Sequence, residues 1–289
     1  MTLRAWERRL TPGQVLVRVG LGLIFLVTAY PFVYVFSLAV MPYENFVRQS
    51  AHFLPSGFTL TYFGQVLSDP RLAHAFGISA LKTVVGTVLS VVATVAAGWA
   101  LSRPELRYGR LLTALFIVPL FVGGGLIPYF LVIRATGLLN TFGALVVPGL
   151  VASFNLLVVR SYFQSYPQAV LDAATVDGAS AWTTFWRVVW PTSTPIIATV
   201  ALLSGVGHWN EYFWPSLLVQ SDLSPAQVVL QNLAVGRSFL SQINATGAQA
   251  APESLIAAVA AIMVIPVLIV YPFLQRFVVS GILIGSVKE

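Results

Sequence analysis

The chain has 289 residues, of which 57% are hydrophobic and 9% charged, with a net charge of +6 and no cysteine. Soluble domains carry roughly a quarter charged residues, so this composition excludes an ordinary soluble domain and indicates an integral membrane protein. The missing cysteine excludes a disulfide framework and a thiolate metal site, and cations spread along the chain rather than gathered on one face exclude a nucleic-acid footprint.

Thr11, Pro12 and Gln14 form the pattern of a capping box with proline at the first helical position, and Leu10 and Val15 are placed for a hydrophobic staple. The apolar run that follows is too long for a signal h-region and lacks a small-x-small cleavage site, so an uncleaved first span is expected over 12–41. After a long connection, Pro42–Arg71, a second span is expected over 73–102. It carries Lys82, the only ionisable group well inside a span, which is expected to snorkel towards the outer surface. The third span, 111–133, contains Gly123–Gly125, and the fourth covers 141–163.

Between the fourth and fifth spans stands YPQAVLDAATVDGASAWTTFWRVVWPTSTP, from Tyr166 to Pro195, where a tight turn would have sufficed as a connector. Pro167 suits a first helical turn and Gly178 suits a left-handed C′ residue, so a helix is expected over 167–180. Val170, Ala173, Ala174 and Asp177 then share one face, small enough for another backbone to approach and edged by the carboxylates of Asp172 and Asp177. Pro191 and Pro195 make a stiff, kinked entry to a fifth span over 186–208. A long connection, Glu211–Glu253, leads to a sixth span over 254–277 and a short polar tail, Val279–Glu289. The aromatic residues of Trp209–Trp214 point to a docking surface for an extracytoplasmic partner, with a solvated connector as the alternative.

Six charge-free intervals support these spans: Val19–Tyr43, Thr83–Ser102, Leu111–Ile133, Ala135–Val159, Val188–Asn210 and Ser254–Gln275. Each meets the requirement of about 20 apolar residues. Six spans place both termini on one side, and the cations choose it. Arg4, Arg8, Arg9, Arg18, Arg103, Arg107, Arg110, Arg160, Arg187, Arg276 and Lys288 share the side that holds the 167–180 helix, against Arg48, Arg71, Arg134 and Arg237 on the other. Since Lys and Arg are retained on the inside, both termini and that helix are expected in the cytoplasm. The fold class expected is an all-α polytopic membrane protein of six transmembrane helices, with a cytoplasmic helix between spans four and five.

Asp172-Ala173-Ala174, three residues, Gly178, nine residues and Val188-Val189-Trp190-Pro191 resemble the E-A-A, x3, G, x9, I-x-L-P signature of bacterial ABC importer permeases. The departures are Asp for Glu at 172, Val for Ile at 188 and Trp for Leu at 190. FLPSGFTLTYFGQVLSD, GGGLIPYFLVIRATGLLNTF, GHWNEYFWP and GILIGSVKE extend the likeness over nearly the whole chain. They resemble the second permease of maltose-type carbohydrate importers, and the GGLIP and GHWN runs resemble permeases serving oligosaccharides from polysaccharide breakdown.

The resemblance implies a single permease domain in the bacterial cytoplasmic membrane. Its implied partners are a second, homologous permease, two copies of a cytoplasmic ATPase and an extracytoplasmic solute-binding protein. ATP and Mg²⁺ would be bound by the ATPase, leaving this chain without a cofactor. The residues agree: no G-x-x-x-x-G-K-[ST] loop occurs, and no Lys follows the Gly123–Gly125 cluster. Asp172, Ala173, Ala174, Asp177, Gly178 and Pro191 are therefore the expected ATPase-coupling residues, and the resemblance adds the C-terminal tail. Sugars are held by aromatic faces with amide and hydroxyl partners, which makes Tyr129, Asn155, Trp209, Asn210, Glu211 and Tyr212 the substrate candidates, although Trp and Tyr also serve as belt anchors and Asn155 can bond across helices. His52, His74 and His208 lack ligand spacing, so no metal is assigned. The rival classes are a membrane-embedded hydrolase, which lacks a nucleophile and base on its spans, and an ion-coupled secondary transporter, which would show inverted repeats and mid-membrane ionisable groups. A permease for a different polar solute is the remaining alternative.

Overall fold

The computed structural model describes residues 11–48, 55–235 and 252–286, and it is helical throughout, with no strand among those residues. Helix α1 (Pro12–Val40) starts at Thr11, whose hydroxyl accepts from the Gln14 N–H at 3.3 Å while the Gln14 side chain accepts from the Thr11 N–H at 3.2 Å. The capping box is thus complete; Leu10, the other half of the expected staple with Val15, lies outside the described residues. Two short helices, α2 (Tyr43–Arg48) and α3 (Thr61–Ser68), follow, and α4 (Pro70–Ser102) begins with proline in its first turn, three residues before the expected start of span two.

The expected third and fourth spans are interrupted. Gly123–Gly125 separates α5 (Gly109–Phe121) from α6 (Leu126–Ala135), and Gly125 takes φ +78, a conformation open chiefly to glycine. Asn140 (φ 57) turns the chain into two 3₁₀ turns, Phe142–Leu145 and Val147–Gly149, and the latter meet α7 (Ser153–Gln164) at 45°. Helix α8 (Gln168–Val176) is shorter than the expected 167–180 because Pro167 caps it at one end and Gly178, at φ 74, stops it at the other. The Ala179 N–H reaches the Ala174 carbonyl at 2.9 Å and the Gly178 N–H reaches the Thr175 carbonyl at 3.0 Å, the paired bonds of a Schellman motif.

The start of the expected fifth span is bent. Helix α9 (Ala181–Thr184) runs into one π turn over Phe185–Val189, closed by the Trp190 N–H on the Phe185 carbonyl, and then into the single turn α10 (Trp190–Thr192). The chain breaks at Ser193 and continues as α11 (Thr194–Asn210) at 80° to the preceding segment. Pro191 and Pro195 flank that break, each without an N–H to continue the ladder. Helices α12 (Phe213–Leu218), α13 (Ala226–Val235) and α14 (Pro252–Ser286) complete the described chain. Within the expected tail Val279–Glu289, the helix continues to Ser286 and 287–289 lie outside the described residues.

Among the described residues, three helices are long and apolar enough to cross a membrane: Pro12–Val40, Pro70–Ser102 and the Glu253–Val270 part of α14. Counting each bent pair as one span brings the number to five, and α5 and α6 are shorter apolar helices. Contacts divide the chain into one unit of Met1–Asp69 with Leu233–Ile262 and a second of Pro70–Asn232 with Met263–Glu289. In the first, α3 packs on α1, whose residues between Val15 and Val33 are otherwise largely exposed.

In the second unit α4 is the hub, packed on both α11 and α7. Its buried stripe runs at four-residue intervals through Lys82, Gly86, Ser90, Thr94, Gly98 and Ser102. Small residues at this spacing let neighbouring backbones approach closely where lipid supplies no hydrophobic drive for association. At Gly98 a Cβ would stand 2.5 Å from Val159 Cγ1 and 3.2 Å from the Arg160 nitrogen. The helix ends are tied reciprocally: Arg160 Nε on α7 donates to the Leu101 carbonyl at 3.0 Å, and Arg103 donates to the Phe163 carbonyl at 3.3 Å while its guanidinium lies 3.9 Å from the Trp99 ring centroid.

Gly98→Val is therefore expected to cost about 1–3 kcal/mol through overpacking against α7, seen as a lower unfolding temperature of the purified protein in detergent. Gly77→Ala, on the same helix with nothing within 4 Å of the added carbon, is expected to leave that temperature unchanged or raise it slightly.

Candidate functional site

The sequence-derived candidates fall at two separated places in the second unit. One is the end of α11. Here His208 and Trp209 are buried, Asn210 and Tyr212 are exposed, and Glu211 is intermediate. The chain then turns into α12, which is held by the Asn140 N–H on the Leu218 carbonyl at 2.8 Å and the Gln220 N–H on Asn140 Oδ1 at 2.9 Å. A cleft of about 530 Å³ opens beside it, lined by Gly123–Gly125, Pro128, Tyr129, Phe213 and Trp214. Tyr129 and Trp214 stack with ring centroids 3.9 Å apart. An aromatic wall beside bare glycine backbone suits an apolar sugar face whose hydroxyls need partners.

Lys82 does not snorkel. Its side chain is fully buried; Nζ lies 3.4 Å from Glu211 Oε2 and donates to the Glu211 carbonyl oxygen at 3.1 Å. Burying an ammonium is costly unless it is paired and hydrogen-bonded, and a carboxylate brought from 129 positions along the chain removes the reason to reach for water. About two turns deeper on α4, Ser90 Oγ lies 3.2 Å from His208 Nε2, and the imidazole sits against Gly86, where a Cβ would be 2.7 Å away.

Asn155 and Trp209 face the chain's own interior. Asn155 is 7% exposed and its side-chain amide donates to Ser204 Oγ at 3.4 Å, bonding across α7 and α11. Trp209 Nε1 donates to the Met263 carbonyl at 3.0 Å, and its ring walls an apolar cavity of about 350 Å³ with Thr83, Thr87, Gly205 and Pro266. Tyr129 lines the mouth of the cleft beside Gly123–Gly125, and Asn210, Glu211 and Tyr212 directly precede its wall residues Phe213 and Trp214 in the chain, whereas Asn155 and Trp209 bond across helices to Ser204 and Met263.

The second place is α8. Asp172 and Asp177 are exposed, as are Ala173, Gly178 and Pro191. Asp172 Oδ1 accepts from Gln168 Nε2 at 3.0 Å, one turn back. Ala174 departs from the expected outward face: with Leu171, three residues earlier on the helix, it turns inward and is 7% exposed. Leu171 enters a core built from Val91 and Val95 of α4, Val159 and Phe163 of α7, Phe185 and Val189 of the π turn, and Ile196 and Val200 of α11. That anchorage leaves Val170, Asp172, Ala173, Val176 and Asp177 exposed.

Sequence reasoning missed Gly86, Ser90, Ser204 and the Ser79–Gln227 pair, and it assigned Phe213 and Trp214 only to a docking surface. The four-residue spacing of Lys82, Gly86, Ser90, Thr94 and Gly98 was the available signal for the first two. Nothing local announces Ser204 or Gln227, whose partners lie on distant segments. Among the described residues no group of three or more His, Asp or Glu gathers to hold a metal.

Residues 86–284 match the family described as the inner membrane component of binding-protein-dependent transport systems, and the chain belongs to that family. It is 34% identical over 271 residues to protein LplC of Bacillus subtilis, covering 93% of this chain and 92% of that one. It is 31% identical over 274 residues to the polygalacturonan/rhamnogalacturonan transport system permease protein YtcP of the same organism, covering 93% and 96%. Among solved structures it resembles a chain of a bacterial ABC transporter involved in import of the acidic polysaccharide alginate, with a TM-score of 0.84 and 29% identity over 91% of this chain and 95% of that one.

Glu211→Gln strands a fully buried ammonium and is expected to cost on the order of 3 kcal/mol, the scale for breaking a buried pair. Lys82→Met is expected to cost less, because the Glu211 side chain, 34% exposed, can turn to water. Lys82→Met combined with Glu211→Gln is expected to recover most of the loss. Thermal unfolding of the three purified variants in detergent checks the order.

Proposed function

We propose that this chain is the permease subunit of an ATP-driven importer that carries an oligosaccharide across the bacterial cytoplasmic membrane by alternating access. The observation that carries the mechanism is α8, an exposed acidic helix anchored through Leu171 in the same core as the bent start of α11. A chain without a phosphate loop must receive work by contact, and α8 is a surface built for it. The family supplies the transport class, and the polygalacturonan and alginate systems among its relatives support a carbohydrate cargo.

Six spans follow if α5 with α6, the 3₁₀ turns with α7, and 181–192 with α11 each count as one crossing beside α1, α4 and α14. Both termini and α8 then lie in the cytoplasm, by the excess of Arg and Lys on that side, and the Tyr129–Trp214 cleft faces outward. α8 is the coupling helix. Asp172 and Asp177 meet cations of the ATPase, Ala173 permits close approach, Ala174 seats the helix, Gly178 sets its exit angle and Pro191 stiffens the junction to α11. A second permease pairs with this one, two ATPase copies bind ATP and Mg²⁺, and an extracytoplasmic binding protein delivers cargo to the mouth. Tyr129, Asn210, Glu211 and Tyr212 contact the sugar there, and Asn155 and Trp209 act through the helices they brace.

The test is uptake of the oligosaccharide captured by the cognate binding protein, in proteoliposomes holding the whole complex. Uptake is expected to vanish on ATP depletion and to survive collapse of the ion gradient; the reverse pattern selects an ion-coupled transporter. Gly178 tests the coupling role separately. A side chain there meets nothing within 4 Å, so the cost of substitution lies in φ 74 itself, about 1–2 kcal/mol for an ordinary residue and less for Asn. Gly178→Val is expected to leave ATP hydrolysis while uptake falls, and Gly178→Asn to keep both; full coupled uptake with valine removes α8 from the coupling path.

A further inference from the structure

Lys82 makes two bonds to one residue, and only one of them concerns charge. Its Nζ lies 3.4 Å from the Glu211 carboxylate and donates at 3.1 Å to the Glu211 backbone carbonyl. Neutralising a charge requires the first alone. The second fixes the main chain where α11 ends and α12 has not begun, between exposed Asn210 and exposed Tyr212.

The same stripe of α4 carries a rung on each side. Towards the start of the helix, Ser79 Oγ donates to Gln227 Oε1 at 2.8 Å and accepts from the Ala226 N–H at 2.8 Å. Deeper, Ser90 Oγ lies 3.2 Å from His208 Nε2, with the imidazole seated on Gly86. Positions 79, 82, 86 and 90 are three and four apart and share one helix face. Three rungs therefore hold the segment from His208 to Gln227 along about three turns of α4. The contact between α4 and α11 at Thr87 and Gly205 is small and carries no hydrogen bond, and would tolerate a shift of one helix against the other. Polar rungs in an apolar setting do not, because a slipped register strands each group without a partner.

We propose that Lys82 is a positioning residue of the transporter: it clamps the backbone at Glu211 so that α4 and the end of α11 keep one register while the complex changes state, and Asn210 and Tyr212 keep one presentation at the mouth. This rests on the importer reading. The change of shape is then carried at the far end of α11, where the π turn and the 80° break at Ser193 lie.

The natural chain has no cysteine, which permits a clean reporter away from the clamp. A Cβ at Gly205 would stand 3.3 Å from Thr87 Oγ1 and 3.8 Å from Thr87 Cγ2, so a Thr87→Cys, Gly205→Cys pair can close a disulfide between α11 and α4. The pair is placed in the complete complex in proteoliposomes and oxidised in the nucleotide-free state and after vanadate trapping. With Lys82 present, the disulfide is expected to form equally in both states, and the oxidised complex is expected to keep its ATPase rate. Lys82→Met is expected to lose most of the disulfide in both states, and Lys82→Arg to restore it. A disulfide that forms in one state only, with Lys82 present, overturns the proposal, as does full yield with Lys82→Met. Should Lys82→Met fail to assemble, the Lys82→Met, Glu211→Gln pair removes both charges together, and full yield with that pair also overturns it. Absence of vanadate trapping counts against the importer reading instead, and the nucleotide-free yields of Lys82, Lys82→Met and Lys82→Arg still decide the clamp.

Discussion

Backbone and side-chain polar groups inside a bilayer must find their partners within the protein, and in the seam between α4 and α11 Lys82 and Ser90 find theirs in Glu211 and His208. Lys82 against Glu211 and Ser90 against His208 share one buried face with Gly86, Thr94 and Gly98. Gly86 lets α11 come close, as Gly98 does for α7, and closeness makes the polar bonds short enough to hold. Neither works alone, since a larger residue at Gly86 would meet His208 and the ammonium of Lys82 would be intolerable without Glu211. The mouth at Asn210–Trp214, the anchorage of the 220–227 segment and the course of α11 all follow from this seam.

At the opposite end the packing chemistry changes. Trp99, Phe163, Tyr166, Phe185, Trp186 and Trp190 form a chain of tilted and edge-on ring contacts around the π turn, with Tyr166 Oη and Thr192 Oγ1, 2.7 Å apart, as a polar tie beside it. Ring faces and edges can re-pack at small cost, whereas buried ion pairs cannot exchange partners. A helix stiffened by polar rungs at one end and set in aromatics and a broken turn at the other has its compliance beside α8. Displacement of α8 reaches that compliant region directly, because Leu171 shares the core with Phe185 and Val189.

Features set by neighbours in sequence were legible, and features set by distant neighbours were not. Thr11 and Gln14 announce the start of α1, and Gly178 announces the end of α8, because caps depend on residues three to six apart. The apolar runs announce membrane helices for the same reason. Their breaks were less legible: Gly123–Gly125 and the 3₁₀ turns after Asn140 lie in runs as apolar as an uninterrupted span, and hydropathy does not register φ. Lys82 was misread because its partner is Glu211, and from α4 alone a cation twelve residues into the helix has only the surface to reach for. The inward turn of Ala174 was hidden by composition, since alanine fits an interface and a core equally well; Leu171, three residues earlier, decided which.

Asp172, the departure from the family's usual glutamate, is explained by its neighbour. An aspartate reaches about 1.5 Å less far than a glutamate, one C–C bond, and here its Oδ1 is already bonded to Gln168 Nε2 at 3.0 Å. The bond to Gln168 draws the shorter carboxylate back along its own helix and leaves Oδ2 as the acceptor free of that bond. Under the proposed coupling role, a partner cation would therefore come to the helix surface instead of being met above it. That favours a planar guanidinium, which can lie flat across Asp172 Oδ2 and use its remaining donors elsewhere, over an ammonium that offers a point charge at the end of a flexible stem. Ala173, exposed beside Asp172, leaves room for such an approach, so under the proposed coupling role the shorter acid and the small neighbour are two parts of one adjustment in how closely a partner would sit.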